Sequence, residues 1–358
     1  MIKHIKLIII GLIFILGCAH LNTQEILYHG IKLEIDHNKG GIKVTDTLKN
    51  YKQFVKNNTL LLELHELLKV SSINDSLKYE VSPRYRVDPN RITLYYNISI
   101  PENYDSENLI IKYAGEYPQK KVEKSAEFAR SGSTYDVLIN TDGAYLSQSS
   151  YWYPIIKTDF FTFDITVITA PEYKIVSQGE LVSQTVENDK RTSIFSCKYP
   201  MDDIYAISGP FHTFEEEFDG IKVQAYLRSN DKALADKYIK ATEGFLDTYN
   251  ELIGMYPYSK FTLVENTAQT GWGMPSFTLL GSKIIRFPFI LYSSYPHELL
   301  HNWWGNSVYV DYNKGNWCEG LTSYLADHLI KEQSGKGSEY RKDALERYTL
   351  YVPEAFDS

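Results

Sequence analysis

Cysteine is scarce in this chain, three in 358 residues, which excludes a scaffold built on disulfides. No long basic run occurs, and Asp plus Glu (45) outnumber Lys plus Arg (37) for a net charge of −8. A general nucleic-acid binder is therefore excluded. There is no internal repeat and no low-complexity linker. What is present, 43% hydrophobic and 23% charged residues, suits a globular protein and neither a disordered nor a multi-span membrane chain. The length exceeds the size at which one core keeps growing, so two domains are expected. Tyrosine is abundant (29); half-buried strands and an amphipathic surface account for it better than a tyrosine-specific function.

The N-terminus reads as an export signal. Lys3 and Lys6 precede an apolar run, residues 7–16, broken only by Gly11 and too short to span a bilayer comfortably. The run ends at Ile15-Leu16-Gly17-Cys18, which resembles the lipobox of bacterial lipoproteins. That resemblance implies removal of residues 1–17, a lipid on the Cys18 thiol, and a protein tethered to a membrane of the cell envelope. Plain secretion or a soluble periplasmic protein is the alternative, and Ala19 favours outer-membrane sorting in a host with two membranes. Cys197 and Cys318 are expected to be free and buried.

Residues 18–215 read as a β-rich domain. Ile31-Lys-Leu-Glu-Ile35, the stretch 92–100 and the stretch 161–167 alternate with period two, as half-buried strands do. Glu187-Asn188-Asp189-Lys190 looks like a hairpin turn. Residues 59–70 are the exception, with leucines at helical spacing that predict a helix. Residues 211–220, with Glu215, Glu216 and Glu217, read as an acidic connector, and a strand is expected at 221–227. Asp231, in Ser229-Asn230-Asp231, is placed to cap a helix that carries Leu234, Tyr238, Phe245, Tyr249 and Leu252 on one face and stops at Gly254 and Pro257. From 216 to 358 the pattern is mixed α and β, so the fold class is α+β.

The chemistry is concentrated in Pro296-His297-Glu298-Leu299-Leu300-His301. On a helix, residues four apart share a face, so His297 and His301 can aim their imidazoles at one point. Glu298 lies beside them, where its carboxylate can reach a water without ligating the metal. Pro296 is tolerated in the first turn if Ser293 or Ser294 caps the helix, and Gly305 marks a plausible end. A catalytic zinc needs three protein ligands and leaves the fourth position open. Glu319, in Trp317-Cys318-Glu319-Gly320, is the third candidate, on a second helix carrying Leu321, Tyr324, Leu325 and His328 and reached through a turn at 311–315. Cys318 is a softer ligand but points about 100° away from its neighbour on a helix. Zinc, one per chain, would activate a water and polarise a carbonyl, with Glu298 as general base. Leu64-His65-Glu66-Leu67-Leu68-Lys69 begins with the same four residues, but Lys69 stands where a second histidine should be; it reads as a structural helix with a solvated His65.

The run His297-Glu298-Leu-Leu-His301-Asn-Trp303-Trp304-Gly305-Asn306, followed by Trp317-Cys-Glu319-Gly320, resembles the aminopeptidase N family of gluzincin metallopeptidases. The likeness covers most of residues 25–335, with Tyr151-Trp152-Tyr153-Pro154, Ile165-Thr-Val167 and Gly179-Glu180-Leu181 matching its N-terminal sheet. Asp219-Gly220-Ile221 matches the entry into its thermolysin-like catalytic domain. It implies zinc on His297, His301 and Glu319, Glu298 as base, and a peptide substrate lying along Gly273 and Met274. Three departures follow. Between His301 and Glu319 stand 17 residues, one fewer than the family's usual gap, which a shorter turn absorbs. Pro275 replaces the glutamate that binds the substrate's free amine, with Glu265 as a possible substitute. The oxyanion-stabilising tyrosine of the family falls beyond Ser358, since Tyr348 and Tyr351 stand too close, so the sequence reads as a fragment of a longer protein. A zinc hydrolase of a non-peptide substrate such as an epoxide, and an inactive binding or scaffold protein on the same fold, are the competing readings.

Overall fold

Side chains that alternate between apolar and polar build most of the first half as strands, in the computed structural model that describes residues 25–74, 76–83, 93–118, 137–269 and 271–351. The segment 1–17, Cys18 and residues 353–358 lie outside the described residues. In chain order the strands are β1 (Leu27–Asp36), β2 (Gly41–Lys49), β3 (Thr59–His65), β4 (Lys69–Ile73), β5 (Tyr79–Pro83), β6 (Thr93–Ser99), β7 (Asn108–Glu116), β8 (Leu138–Asn140), β9 (Gly143–Leu146), β10 (Phe161–Thr169), β11 (Lys174–Val176), β12 (Glu180–Glu187), β13 (Lys190–Met201) and β14 (Ala206–Gly209). They form a seven-stranded sheet, β12-β13-β10-β1-β2-β7-β4, beside sheets β11-β14-β9-β8 and β3-β6-β5. Within the large sheet β1 runs parallel to β10 and antiparallel to β2. Leu27, Ile31 and Leu33 on β1 and Phe163, Ile165 and Val167 on β10 fill one shared core. The turn between β12 and β13 holds Asn188 (φ 51°) and Asp189 (φ 57°), the paired positive φ of a two-residue hairpin.

Two sequence expectations are corrected. Residues 59–70 are not a helix: β3 buries Leu60, Leu62 and Leu64 and leaves Leu61 47% exposed. The leucines satisfy period two as well as helical spacing, and pairing with β6 selects the strand. His65 consequently packs edge-on against Tyr117 and accepts the Leu67 N–H at 3.2 Å. Residues 211–220 are not a connector either, because β15 (His212–Phe218) pairs antiparallel with β16 (Ile221–Leu227). Its glutamates face water on an edge strand, where charge discourages further pairing.

β15 and β16 open a five-stranded sheet, β15-β16-β17-β19-β18, with β17 (Lys260–Asn266), β18 (Gly271–Met274) and β19 (Phe277–Gly281). β16, β17 and β19 run parallel and are buried almost continuously, as expected of parallel strands covered on both faces. β18 is the antiparallel edge. Helix α1 (Lys232–Leu252) covers one face with Ala235, Tyr238, Ile239, Leu246 and Tyr249, while Leu252 stays 54% exposed. Asp231 caps it by accepting the Leu234 N–H at 3.0 Å. α2 (Ser294–Leu300) follows, then α3 (Trp317–Ser323), a π turn (Tyr324–His328), α4 (Leu329–Gln333) and α5 (Gly337–Tyr351). The chain is thus α+β. Cys197 and Cys318 are free and buried. Among the described residues no helix is long and apolar enough to cross a membrane.

The turn between β1 and β2 is locked to β14 by His37, which is 3% exposed. Its ring stacks on Tyr173 at 3.6 Å, and Nε2 lies 2.7 Å from Ser208 Oγ. Burial pushes its pKa down to about 4, against a smaller upward pull from Asp36. The folded state therefore refuses a proton that the unfolded chain accepts below about 6.5. Stability is full above that pH and falls as the pH drops towards about 4, by on the order of 3 kcal/mol. In urea melts between pH 4 and 7, His37→Phe, which keeps the stack and removes the titration, should flatten this part of the profile.

Candidate active site

α2 is short, and its hydrogen bonding explains the placement of its histidines. Pro296 falls in the first turn, where no intrahelical donor is lost. Ser293 precedes the helix but turns its hydroxyl back to the Phe289 carbonyl instead of capping. The helix ends at Leu300, earlier than Gly305, with the His301 N–H still bonded to the His297 carbonyl at 3.3 Å. The two rings therefore stand one turn apart on one face, with centroids 5.0 Å apart. Glu319, in the first turn of α3, comes up against both: Oε2 lies 3.4 Å from His297 Nε2, and Oε1 lies 3.5 Å from His301 Nε2. Ligand atoms of these three residues lie within 4.8 Å of one another.

The other ring nitrogens are occupied. His301 Nδ1 donates to the Trp304 carbonyl at 3.1 Å; a carbonyl can only accept, so the proton sits on Nδ1 and the Nε2 lone pair faces Glu319. His297 Nδ1 is 3.1 Å from Asp327 Oδ2, which fixes the same tautomer. Asp327 was not singled out in the sequence; it belongs to the π turn that continues α3. Two imidazole nitrogens held as acceptors and one carboxylate make a three-ligand set that fits zinc and leaves a fourth position open. Cys318 lies on the far side, its thiol donating to the Trp304 carbonyl at 3.1 Å and 3.6 Å from His301 Nδ1. Burial lowers the pKa of His301, against the Trp304 carbonyl and Glu319.

Glu298 lies between this cluster and β18. Burial pushes its pKa up to about 7, with His297 when protonated and the Gly273 backbone pulling down and Glu319 pushing up. A Cβ at Gly271 would lie 3.0 Å from Glu298 Oε1, and one at Gly273 would meet the Glu298 carbonyl at 2.7 Å and His301 Cβ at 2.9 Å. Only a strand bare of side chains at both positions can lie so close. Met274 points the other way, 4% exposed in a second core with Phe277, Leu279 and Val264. Glu265 is committed elsewhere: Oε2 accepts the Arg228 N–H at 2.7 Å, and Oε1 pairs with Arg286 at 2.6 Å.

The orientation of His297 carries a prediction. Asp327→Ala should weaken zinc affinity about 10–100-fold, as loss of a ligand's outer hydrogen-bond partner does, and Asp327→Asn should lose less. Competition with a chromophoric chelator measures both.

No family model matches the chain. Among curated proteins it is similar to the glutamyl aminopeptidases of Mus musculus and Rattus norvegicus, each 24% identical over 46% of this chain, and the match spans only 19% of their length. Among solved structures it is similar to an M1 zinc metallopeptidase from Deinococcus radiodurans, with a TM-score of 0.63 and 16% identity over 92% of this chain and 76% of that one. A variant of that protein bound to a Tyr-Ser-Ala substrate gives 0.60, with 15% identity over 92% and 75%. Native yeast LTA4 hydrolase gives 0.61, with 18% identity over 93% of this chain and 53% of that one. At these identities the likeness is one of architecture: the chain has the fold of the M1 zinc metallopeptidases.

Proposed function

We propose that this chain is a zinc metallopeptidase of aminopeptidase type. The observation that carries the reading is the convergence of His297, His301 and Glu319 with the Glu298 carboxylate beside them and the glycine-bearing strand β18 alongside. His297 and His301 would hold zinc through Nε2 and Glu319 through its carboxylate. When bound, zinc supplies Lewis acidity to a water and to a carbonyl. Glu298, raised to about 7, is suited to take a proton from the attacking water and return it to the departing amine. An extended peptide can lie beside β18, where Gly271 and Gly273 carry no side chain. The partition into residues 18–215 and 216–358, export, and lipid attachment at Cys18 belong to the same proposal.

One observation favours a second reading. Pro275 offers no charge where a carboxylate would bind a free amine, and Glu265 is engaged by Arg228 and Arg286. A zinc hydrolase acting on a non-peptide substrate would need no such carboxylate.

The test is zinc per chain on reconstituted protein, with hydrolysis of free-amine and amine-blocked peptides. One zinc with cleavage restricted to free-amine peptides is expected. Glu298→Gln should keep the metal and lose at least about 10²-fold in turnover, the scale of general-base catalysis. Full zinc without cleavage of either peptide would favour the non-peptide substrate. Failure to take up stoichiometric zinc would leave a binding or scaffold protein.

A further inference from the structure

The segment that leaves α2 carries two asparagines that reach the β18–β19 hairpin. Asn302 is 0% exposed. Its Oδ1 accepts the Ser276 N–H at 2.7 Å and the Tyr256 hydroxyl at 3.2 Å, and its Nδ2 donates to the Leu299 carbonyl at 2.8 Å. Its bond with Ser276 thus ties the end of the helix to the hairpin turn, and its bond with Tyr256 ties it to the segment before β17. Asn306 Nδ2 donates to the Gly273 carbonyl at 3.2 Å, on the residue where an added Cβ would lie 3.2 Å from Glu298 Oε2. Asn306 is itself fixed, its carbonyl accepting the Tyr258 hydroxyl at 2.5 Å and its N–H bonded to the His301 carbonyl at 3.1 Å.

The turn they grip is not relaxed. Ser276 has φ +68° and is fully buried, a conformation that costs a residue with a Cβ about 1–3 kcal/mol unless its surroundings hold it. Lys260 also holds it, donating at 2.8 Å to Ser276 Oγ and at 2.9 Å to the Ser177 carbonyl of the N-terminal half. A merely structural hairpin would be closed by its own strand pairing. This one is bonded at both the turn and the strand to the segment that leaves the helix, and the strand contact is the residue that lies against the Glu298 carboxylate.

We propose that Asn302 and Asn306 are positioning residues: they clamp strand β18 against α2 so that Gly273 packs against the Glu298 carboxylate and keeps it in place for proton transfer. Neither touches the reacting atoms. The inference rests on the metallopeptidase reading for its catalytic consequence, while the clamp itself exists with or without turnover.

The test uses the full chain with Asn306→Asp, which matches asparagine in shape but loses the donor, and Asn306→Ala as a second variant. Amide exchange of residues 271–274 in metal-free protein should quicken in both variants, with exchange in α1 unchanged. Zinc stoichiometry should stay at one, KM within about twofold, and kcat should fall by about 10–100-fold, the effect of a misplaced catalytic group. Wild-type exchange in β18, unchanged kcat, or a kcat that falls only together with zinc would overturn the clamp. If the wild-type chain hydrolyses no peptide, the metallopeptidase reading falls, and exchange alone decides the clamp: quickened supports it, unchanged overturns it.

Discussion

Backbone can approach backbone closely only where neither side projects a Cβ into the gap, and the geometry of this site depends on one such approach. At Gly273 a single methyl group would press to 2.7 Å from the Glu298 carbonyl. Because the strand can come so near, Glu298 is taken out of water on that side. Its pKa rises towards neutrality through burial without the carboxylate losing all its partners. The histidines, one helical face round, keep their Nε2 atoms turned away from the strand and towards Glu319. The base Glu298 and both histidines thus lie side by side on the helix that carries them.

The ligand set in turn depends on groups that never face the cluster centre. Trp304 and Asp327 reach it from opposite sides, one from the loop after α2 and the other from the helix that supplies Glu319. Asp327 lies eight residues beyond Glu319, and the π turn at Tyr324–His328 alters the register that a regular helix would give it. Such single π turns are frequent at functional sites. The buried aromatic layer beneath keeps these helices in place, with Tyr249 bonded to the Leu325 carbonyl and Trp303 packed edge-on against Tyr249 and Tyr256.

The parts of the site legible in the sequence are those set by local geometry. His297, Glu298 and His301 lie within one helical turn, so their spacing alone predicts a shared direction. Asp327, Asn302 and Asn306 were illegible because their roles arise from packing between elements distant in sequence; a polar residue beside a ligand motif was the only available signal, and it is a common one. The strand β3 shows the converse failure. Leu60, Leu62 and Leu64 fit a strand, Leu60, Leu64 and Leu67 fit a helix, and only the partner strand β6 decides. In β15 the three glutamates suggested a solvated connector, yet the exposed Glu215 and Glu217 fall on the face opposite Phe214 and Phe218, which pack inward from this edge strand.

Position 275 shows how a turn constrains recognition. Proline there presets the backbone for a tight reversal, and Ser276 completes it with positive φ, the pattern of a type II turn. Both residues are buried, and the turn is held by Asn302 and by Lys260 from the far side. A carboxylate at 275 would surrender the preset φ and enter a buried site whose nearby cation, Lys260, is already spent on Ser276 and Ser177. The hairpin therefore contributes shape and backbone hydrogen bonding. Glu265 cannot restore the charge without releasing Arg286 and the Arg228 backbone, which would take the carboxylate from a 42% exposed arginine and leave a part-buried N–H without its acceptor. On the proposed peptidase reading, any selection for a free amine must come from groups outside this hairpin, and the glycine-lined strand sets where the scissile bond lies rather than which end of the peptide is read.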